Sequence, residues 1–107
     1  MAKRKPTPRS ARRERAREHA RLVRDLERLA LLAPGGSPER PLAVDSPAQV
    51  DVIAASTPCP LCEGTLRLAE HASETRDGVR LRVARVACTV CGVPRALWFR
   101  LAETFQH

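Results

Sequence analysis

The spacing of hydrophobic and polar residues changes sharply near residue 33. Residues 10–33 carry leucine and arginine at helical spacing without an internal Gly or Pro, and Pro34-Gly35-Gly36 follows them. Ser10 suits the N-cap of a helix, and the Pro-Gly-Gly sequence is typical of a helix end. The pattern predicts one helix over residues 10–33, preceded by a basic disordered tail over residues 1–9.

Residues 34–57 are rich in proline, which predicts a linker rather than a regular element. Within this segment, Ser46-Pro47 fits the start of a short helix that continues through Val52. Residues 50–54 fit an edge strand equally well. The sequence leaves both alternatives open.

Hydrophobic residues alternate with polar ones in the last third of the chain. Residues 65–68 and 79–83 alternate on either side of Asp77-Gly78, a hairpin signal, and residues 97–101 alternate again. The alternation slips at Ala84, which predicts a β-bulge before the strand ends. The expected fold class is small α+β, with a basic N-terminal helix and a three-stranded antiparallel sheet.

Two cysteine pairs interrupt these strands. The pairs are Cys59-Pro60-Leu61-Cys62 and Cys88-Thr89-Val90-Cys91, with twenty-five residues between them. Two residues between thiolates let one turn direct both sulfurs at a tetrahedral centre, so the four cysteines predict a closed site for one structural Zn²⁺. Gly64 and Gly92 follow the turns, where glycine tolerates positive φ. An iron site and a disulfide or redox pair remain alternatives.

The pattern Cys-Pro-x-Cys-x-Gly … Cys-x-x-Cys-Gly, over residues 58–101, resembles the zinc ribbon family. The resemblance covers somewhat under half of the chain and implies a zinc ribbon over residues 58–107. Similar ribbons occur in RNA polymerase subunits, transcription factors, ribosomal proteins and topoisomerase tails, and also in protein–protein adaptors. The resemblance therefore implies the metal site and leaves the function open. Glu63 departs from the family, since many ribbons carry glycine there.

The net charge of the chain is concentrated in its first third. The 107 residues carry 19 Lys and Arg against 12 Asp and Glu, a formal charge of +7. Residues 1–33 hold eleven of these bases and four of the acids, whereas residues 34–107 hold eight of each. A basic arm on a neutral module favours a polyanionic partner.

Five arginines of the predicted helix fall within about 80° of one another, which forms a stripe along one face. Such a stripe suits a phosphate backbone. The residues expected to bind nucleic acid are Lys3, Arg4, Lys5, Arg13, Arg17, Arg21, Arg24, Arg28, Arg80 and Arg82. The alternative is a solvated face that ion pairs stabilise. Those pairs would be Glu14–Arg17, Arg21–Asp25 and Asp25–Arg28.

Leu22, Leu26 and Leu29 lie on the opposite helix face and are expected to dock on a partner or on the ribbon. This leucine stripe spans under two heptads, which is too short for an independent coiled coil. It supports the alternative function, a protein–protein adaptor that binds no nucleic acid.

The sequence argues against several other classes of protein. The longest apolar run, residues 29–33, is far shorter than the roughly 20 residues of a membrane helix, and no signal peptide is visible. We therefore expect a cytoplasmic protein without a membrane partner. A closed Cys₄ site, with no nucleophile and base set and no phosphate loop, predicts no enzyme. The favoured function is an accessory factor on DNA, RNA, or a ribonucleoprotein or transcription complex.

Overall fold

The computed structural model describes residues 7–102 of the chain. Its elements, in chain order, are α1 (Pro8–Leu32), β1 (Leu42–Val44), α2 (Pro47–Ser56), β2 (Leu66–Arg76), β3 (Val79–Cys88) and β4 (Pro94–Leu101). The strands form one sheet in the order β1-β4-β3-β2, in which β1 runs parallel to β4 and the other neighbours are antiparallel. The protein is a small α+β fold, but the sheet is mixed and four-stranded, unlike the expected three-stranded antiparallel one.

Helix α1 begins two residues before the expected start at Ser10. Thr7 is the N-cap, and its Oγ1 accepts a hydrogen bond from the Ser10 backbone N at 3.1 Å. Pro8 suits the first turn, because backbone N–H groups there have no acceptor within the helix and proline lacks this group. The helix ends at Leu32, whose carbonyl accepts a hydrogen bond from Arg40 Nη1 at 3.1 Å. The expected tail residues Lys3, Arg4 and Lys5 lie outside the described residues.

The segment 34–57 contains regular structure instead of the expected Pro-rich linker. Strand β1 pairs with β4, and α2 places Val50 and Ala54 in the core. Pro47 stands in the first turn of α2, where proline favours a helix. The Gln49 Oε1 accepts a hydrogen bond from the Ser46 backbone N at 3.4 Å. The short-helix alternative for this segment is therefore correct, and the edge-strand alternative is wrong.

The core lies mainly between α2 and one face of the sheet. Phe99 is fully buried there, together with Val50 and Ala54 of α2. The other face carries a smaller cluster of Leu81, Val83 and Trp98. Arg76 places its guanidinium 4.9 Å from the centre of the Trp98 ring. Trp98 is therefore buried as part of this smaller cluster.

The β2–β3 hairpin has the expected turn at Asp77-Gly78, where both residues have positive φ. The β-bulge lies in β2, between Leu68 and Glu70, and not in β3. Because β3 keeps its alternation, Arg85 faces away from Arg80 and Arg82. The Arg85 Nε lies 3.5 Å from a Glu70 carboxylate oxygen.

Helix α1 extends away from the rest of the molecule. The longest dimension is 79 Å. A helix of 25 residues spans about 37 Å and a strand of 11 residues about 36 Å, so helix and sheet lie nearly end to end. No residue of α1 is buried. Within residues 7–102 no helix is long and apolar enough to cross a membrane.

Candidate metal centre and arginine surfaces

The two cysteine turns have the same backbone hydrogen bonds. In the first turn, Glu63 N donates to Cys59 O at 2.8 Å and Cys59 N donates to Gly64 O at 2.9 Å. In the second turn, Gly92 N donates to Cys88 O at 3.0 Å and Cys88 N donates to Val93 O at 3.2 Å. The second turn joins β3 to β4, and the first lies between α2 and β2. Two equivalent turns therefore face one another.

Backbone pairing fixes the distance between these turns. Leu66 is opposite Cys88 in the β2–β3 register. The Thr65 carbonyl accepts two hydrogen bonds at 2.9 Å, one from Thr89 N and one from Thr89 Oγ1. Hydrogen bonds of the sheet therefore set the spacing between the two turns.

The four sulfurs form one cluster. The Cys59 and Cys91 sulfurs are 3.8 Å apart, those of Cys62 and Cys88 are 3.4 Å apart, and all four lie within 4.8 Å of one another. Tetrahedral Zn–S bonds near 2.3 Å require sulfur separations of about 3.8 Å. A disulfide requires about 2.05 Å, and all four cysteines are free. The predicted ligands are thus positioned to bind a metal ion.

Backbone N–H groups stabilise thiolates in the cluster. Hydrogen bonds from the backbone N of Cys91 and of Val90, at 3.4 and 3.3 Å, lower the pKa of Cys88 to about 6, although burial opposes this change. At Cys59 burial acts to raise the pKa, but the N–H groups of Leu61 and Cys62 outweigh it and the pKa is lowered. One sulfur of each pair therefore favours the charged form that binds metals.

Cys62 behaves differently because it has charged neighbours. The Gly64 N–H acts to lower its pKa, but Cys88 and the cost of desolvation outweigh that bond and raise the pKa to about 12. The thiols repel one another as they ionise, so a cation in the cluster would relieve that repulsion.

Glu63 and Gly64 explain how the first turn departs from the expected glycine pattern. Glu63 has a φ of 62°, at the position where the second turn has Gly92 with a φ of 76°. Gly64 does not take positive φ and is required by close packing instead. A Cβ on Gly64 would lie 2.9 Å from the Cys88 sulfur and 2.8 Å from a Val90 methyl. The glycines of the two turns therefore serve different purposes.

Arg95 connects α1 to the cysteine cluster. Its guanidinium donates to both carboxylate oxygens of Glu27, at 3.1 and 2.7 Å, and its side chain is only 9% exposed. Burial acts to lower the Arg95 pKa, but Glu27 and the nearby Cys59 sulfur outweigh it and the pKa is raised. Sequence reasoning missed this pair, because no local pattern connects residues 68 positions apart.

The arginine stripe on α1 is open to solvent. All five of its members are exposed, namely Arg13, Arg17, Arg21, Arg24 and Arg28. Within residues 7–102 no ion pair joins two residues of α1, so the expected pairs such as Glu14–Arg17 are absent there. The guanidinium groups of the arginine stripe are therefore free to bind an external anion.

The leucine stripe does not dock on the sheet. Leu22 and Leu29 are 55% and 62% exposed, and Leu26 is half-buried. Glu27, on a different face of the helix, pairs with Arg95 of β4. Leu22 and Leu29 are thus not packed against the cysteine-bearing module, and docking of the leucine stripe on a partner stays a prediction.

Arg80 and Arg82 share one face of β3, near the end of the strand that is farthest from Cys88. Arg80 is exposed and Arg82 is half-buried. The structure therefore does not bring these two arginines together with the stripe on α1.

Comparison with protein-family models, with curated proteins and with solved structures finds no match for this chain. The geometry of the cysteine cluster and the charge on the described surfaces therefore carry the functional argument.

Proposed function

We propose that the four cysteines bind one structural Zn²⁺ and that the module around them, residues 58–101, is a zinc ribbon. The sulfur separations of 3.4 and 3.8 Å support this proposal, as do the backbone donors on Cys88. Bound zinc would cross-link the two cysteine turns. With four protein ligands no coordination position remains for a substrate, so we propose a binding protein and not an enzyme.

Metal analysis of the purified protein tests the first part. We expect one zinc per chain. After replacement of zinc by Co²⁺, the absorption spectrum should be that of a tetrahedral site with four sulfur ligands. Cys91→Ser should lower metal affinity strongly, whereas Ser73→Ala, on an exposed position of β2, should not. Iron in the protein as isolated, or zinc bound equally well by the Cys91→Ser variant, would contradict the assignment.

We propose further that the protein binds nucleic acid through α1, as an accessory factor on DNA, RNA, or a ribonucleoprotein or transcription complex in the cytoplasm. The observation that carries this proposal is the stripe of five exposed arginines without an acidic partner on the helix. Guanidinium groups bind phosphate oxygens in pairs, and each phosphate that is neutralised releases counterions.

Salt dependence of binding tests the nucleic-acid proposal. Five phosphate contacts predict a slope of log K against log salt of about −4 to −5 on duplex DNA. The double variant Arg17→Ala/Arg21→Ala should flatten the slope by nearly two, and it should weaken all sequences alike because phosphate contacts do not read bases.

The matched control removes the same charge from another face of the helix. Arg12 and Arg15 are exposed and lie outside the stripe. Arg12→Ala/Arg15→Ala should change the slope much less than the stripe variant. Equal effects of the two double variants would show attraction by net charge alone, and the proposed interface would be wrong.

A protein–protein adaptor is the second candidate, and the exposure of Leu22 and Leu29 favours it. An apolar groove of about 310 Å³ also lies between the end of α1 and the sheet, with Ala30 and Trp98 among its lining residues. Docking through leucine depends little on salt. If Leu22→Ala/Leu29→Ala abolishes capture of a protein partner while the stripe variant has no effect, the adaptor function is correct.

A further inference from the structure

Arg95 lies on the face of the sheet that carries the first cysteine turn. Its register partner in β3 is Val86, and residues directly opposite one another on antiparallel strands share a face. Val86 belongs to the buried cluster that contains Cys59, a residue that is only 1% exposed. The side chain of Arg95 therefore extends over the same side of the sheet as the Cys59 sulfur.

The groove at the end of α1 shows the same proximity. Pro58 and Pro60, which stand on either side of Cys59 in the chain, line this groove together with Glu27 and Arg95. The Arg95 guanidinium therefore meets α1 at the place where the first cysteine turn passes.

The hydrogen-bond donors of Arg95 fall into two groups. Nη1 and Nη2 donate to the two carboxylate oxygens of Glu27, whereas Nε is buried and has no partner at hydrogen-bonding geometry. A buried donor without an acceptor is unfavourable. Burial acts to lower the pKa of Arg95, and the groups that outweigh it are Glu27 and the Cys59 sulfur. With Glu27 engaged by the terminal nitrogens, the sulfur is the acceptor that remains for Nε.

We propose that Arg95 is a positioning residue of the metal centre, which donates its Nε–H to the Cys59 sulfur while Glu27 holds the guanidinium in place. Groups that hydrogen-bond to a metal ligand orient that ligand and tune its affinity for the metal. The proposal rests on the proposed zinc site, because Arg95 acts on the metal through Cys59. It does not depend on the binding of nucleic acid.

One guanidinium then serves both the metal centre and the arginine-bearing helix. Among the described residues, the side-chain hydrogen bonds between α1 and the strands are those from Arg95 to Glu27. Because Arg95 also supports Cys59, docking of α1 and retention of the metal are linked, and such linkage acts equally in both directions. Loosening α1 from β4 should therefore weaken metal binding without any change to a cysteine.

Replacement of zinc by ¹¹³Cd tests the contact in the full-length protein without any substitution. Four sulfur ligands give ¹¹³Cd a characteristic downfield NMR signal, and a hydrogen bond to one of these sulfurs transmits a scalar coupling between the metal and the donated proton. We expect this coupling at the Arg95 Nε–Hε group. We expect none at the Nε–Hε of Arg85, which pairs with Glu70 on the other face of the sheet.

Substitutions measure the strength of the contact, with competition against a chelator as the readout. Arg95→Gln should weaken metal affinity about 10–100-fold, as expected for an outer partner of a metal ligand. Arg95→Lys keeps the charge but lacks the planar fork, and should also weaken it. Glu27→Gln should weaken it by a smaller factor, because it removes only the support of the guanidinium. Adding Glu27→Gln to Arg95→Gln should have no further effect, since the two residues act through one contact.

Arg85→Gln is the matched control, because it removes the same charge from the opposite face of the sheet. Its metal affinity should stay within about twofold of that of the unmodified protein. A four-sulfur ¹¹³Cd signal without coupling at Arg95, or equal losses in Arg95→Gln and Arg85→Gln, would overturn the proposal and leave the zinc site standing. Absence of the four-sulfur signal would overturn the zinc site and this proposal with it.

Discussion

Helix α1 and the region from β1 to β4 are held in place by different forces. The helix has 25 residues, none of them buried, and its capping and composition keep it helical. The shorter α2 has 10 residues and buries Val50 and Ala54 under the sheet. Helices in proteins usually depend on such packing, so α1 is unusual in its independence. The difference implies that one part of the chain can be disrupted while the other persists.

The largest disruption should come from removing the proposed zinc ion. Structural zinc sites supply about 10–16 kcal/mol of apparent binding free energy, which in a module this small is also folding free energy. Chelation should therefore unfold residues 58–101 and with them α2. Far-UV circular dichroism should keep most of the α1 signal, while amide protection in the strands is lost. A metal-free protein with protected strands would contradict this expectation.

Deleting the central aromatic side chain should have the next largest effect. Phe99 is fully buried between α2 and the sheet, so Phe99→Ala should lower the free energy of unfolding by about 3–5 kcal/mol. Denaturant unfolding of the zinc-loaded protein measures this value. Leu29→Ala, at a 62% exposed position of α1, is the control and should change the stability by less than about 0.5 kcal/mol. Equal losses would show that α1 belongs to the same cooperative unit.

The Glu27–Arg95 pair offers a way to separate the two parts without unfolding either. Glu27→Gln should reduce the free energy of the contact between α1 and β4 by about 1.5–3 kcal/mol. The substitution weakens a pair of charge-assisted hydrogen bonds from the nearly buried Arg95 guanidinium. ¹⁵N relaxation should then show α1 moving independently of the sheet. Glu18→Gln, at an exposed position of α1, should leave the relaxation unchanged. Unchanged relaxation in Glu27→Gln would mean that another contact orients the helix.

The smallest effect should come from the backbone of the first cysteine turn. Glu63 adopts a left-handed conformation that costs a non-glycine residue about 1–2 kcal/mol. Glycine avoids this cost, but its greater freedom in the unfolded chain offsets part of the gain in stability. Glu63→Gly should therefore stabilise the zinc-loaded protein by about 0.5–1 kcal/mol. Gly92→Ala, the same test in the second turn, should destabilise it. Stabilisation by both changes would contradict the strain argument.

Local features of this chain were predictable from its sequence, because their causes lie within a few residues. The cysteine spacing determines which sulfurs meet, Asp77-Gly78 determines the hairpin turn, and the lack of Gly and Pro from residue 10 to residue 33 allows α1 to form. Each of these depends on backbone geometry that neighbouring residues set.

Features that depend on distant contacts were missed. Strand β1 exists because Leu42 to Val44 pair with residues of β4 far along the chain. Prolines in that segment suggested a linker, and its sequence left a short helix from Pro47 and an edge strand equally open, a choice that the packing of α2 against the sheet decides. The bulge was expected in β3 and lies in β2, since register is set by both strands together. No periodicity in α1 indicates that Glu27, and not a leucine, contacts the sheet.

The end-to-end arrangement of α1 and the sheet has a consequence for measurements of molecular size. A compact chain of this length has a radius of gyration of about 13 Å, whereas the value here is 19.1 Å. The monomer should therefore elute from a sizing column well ahead of globular standards of its 11.8 kDa mass. Early elution alone is therefore no sign of a dimer, and sedimentation equilibrium or light scattering, which report mass independently of shape, are needed to count the chains.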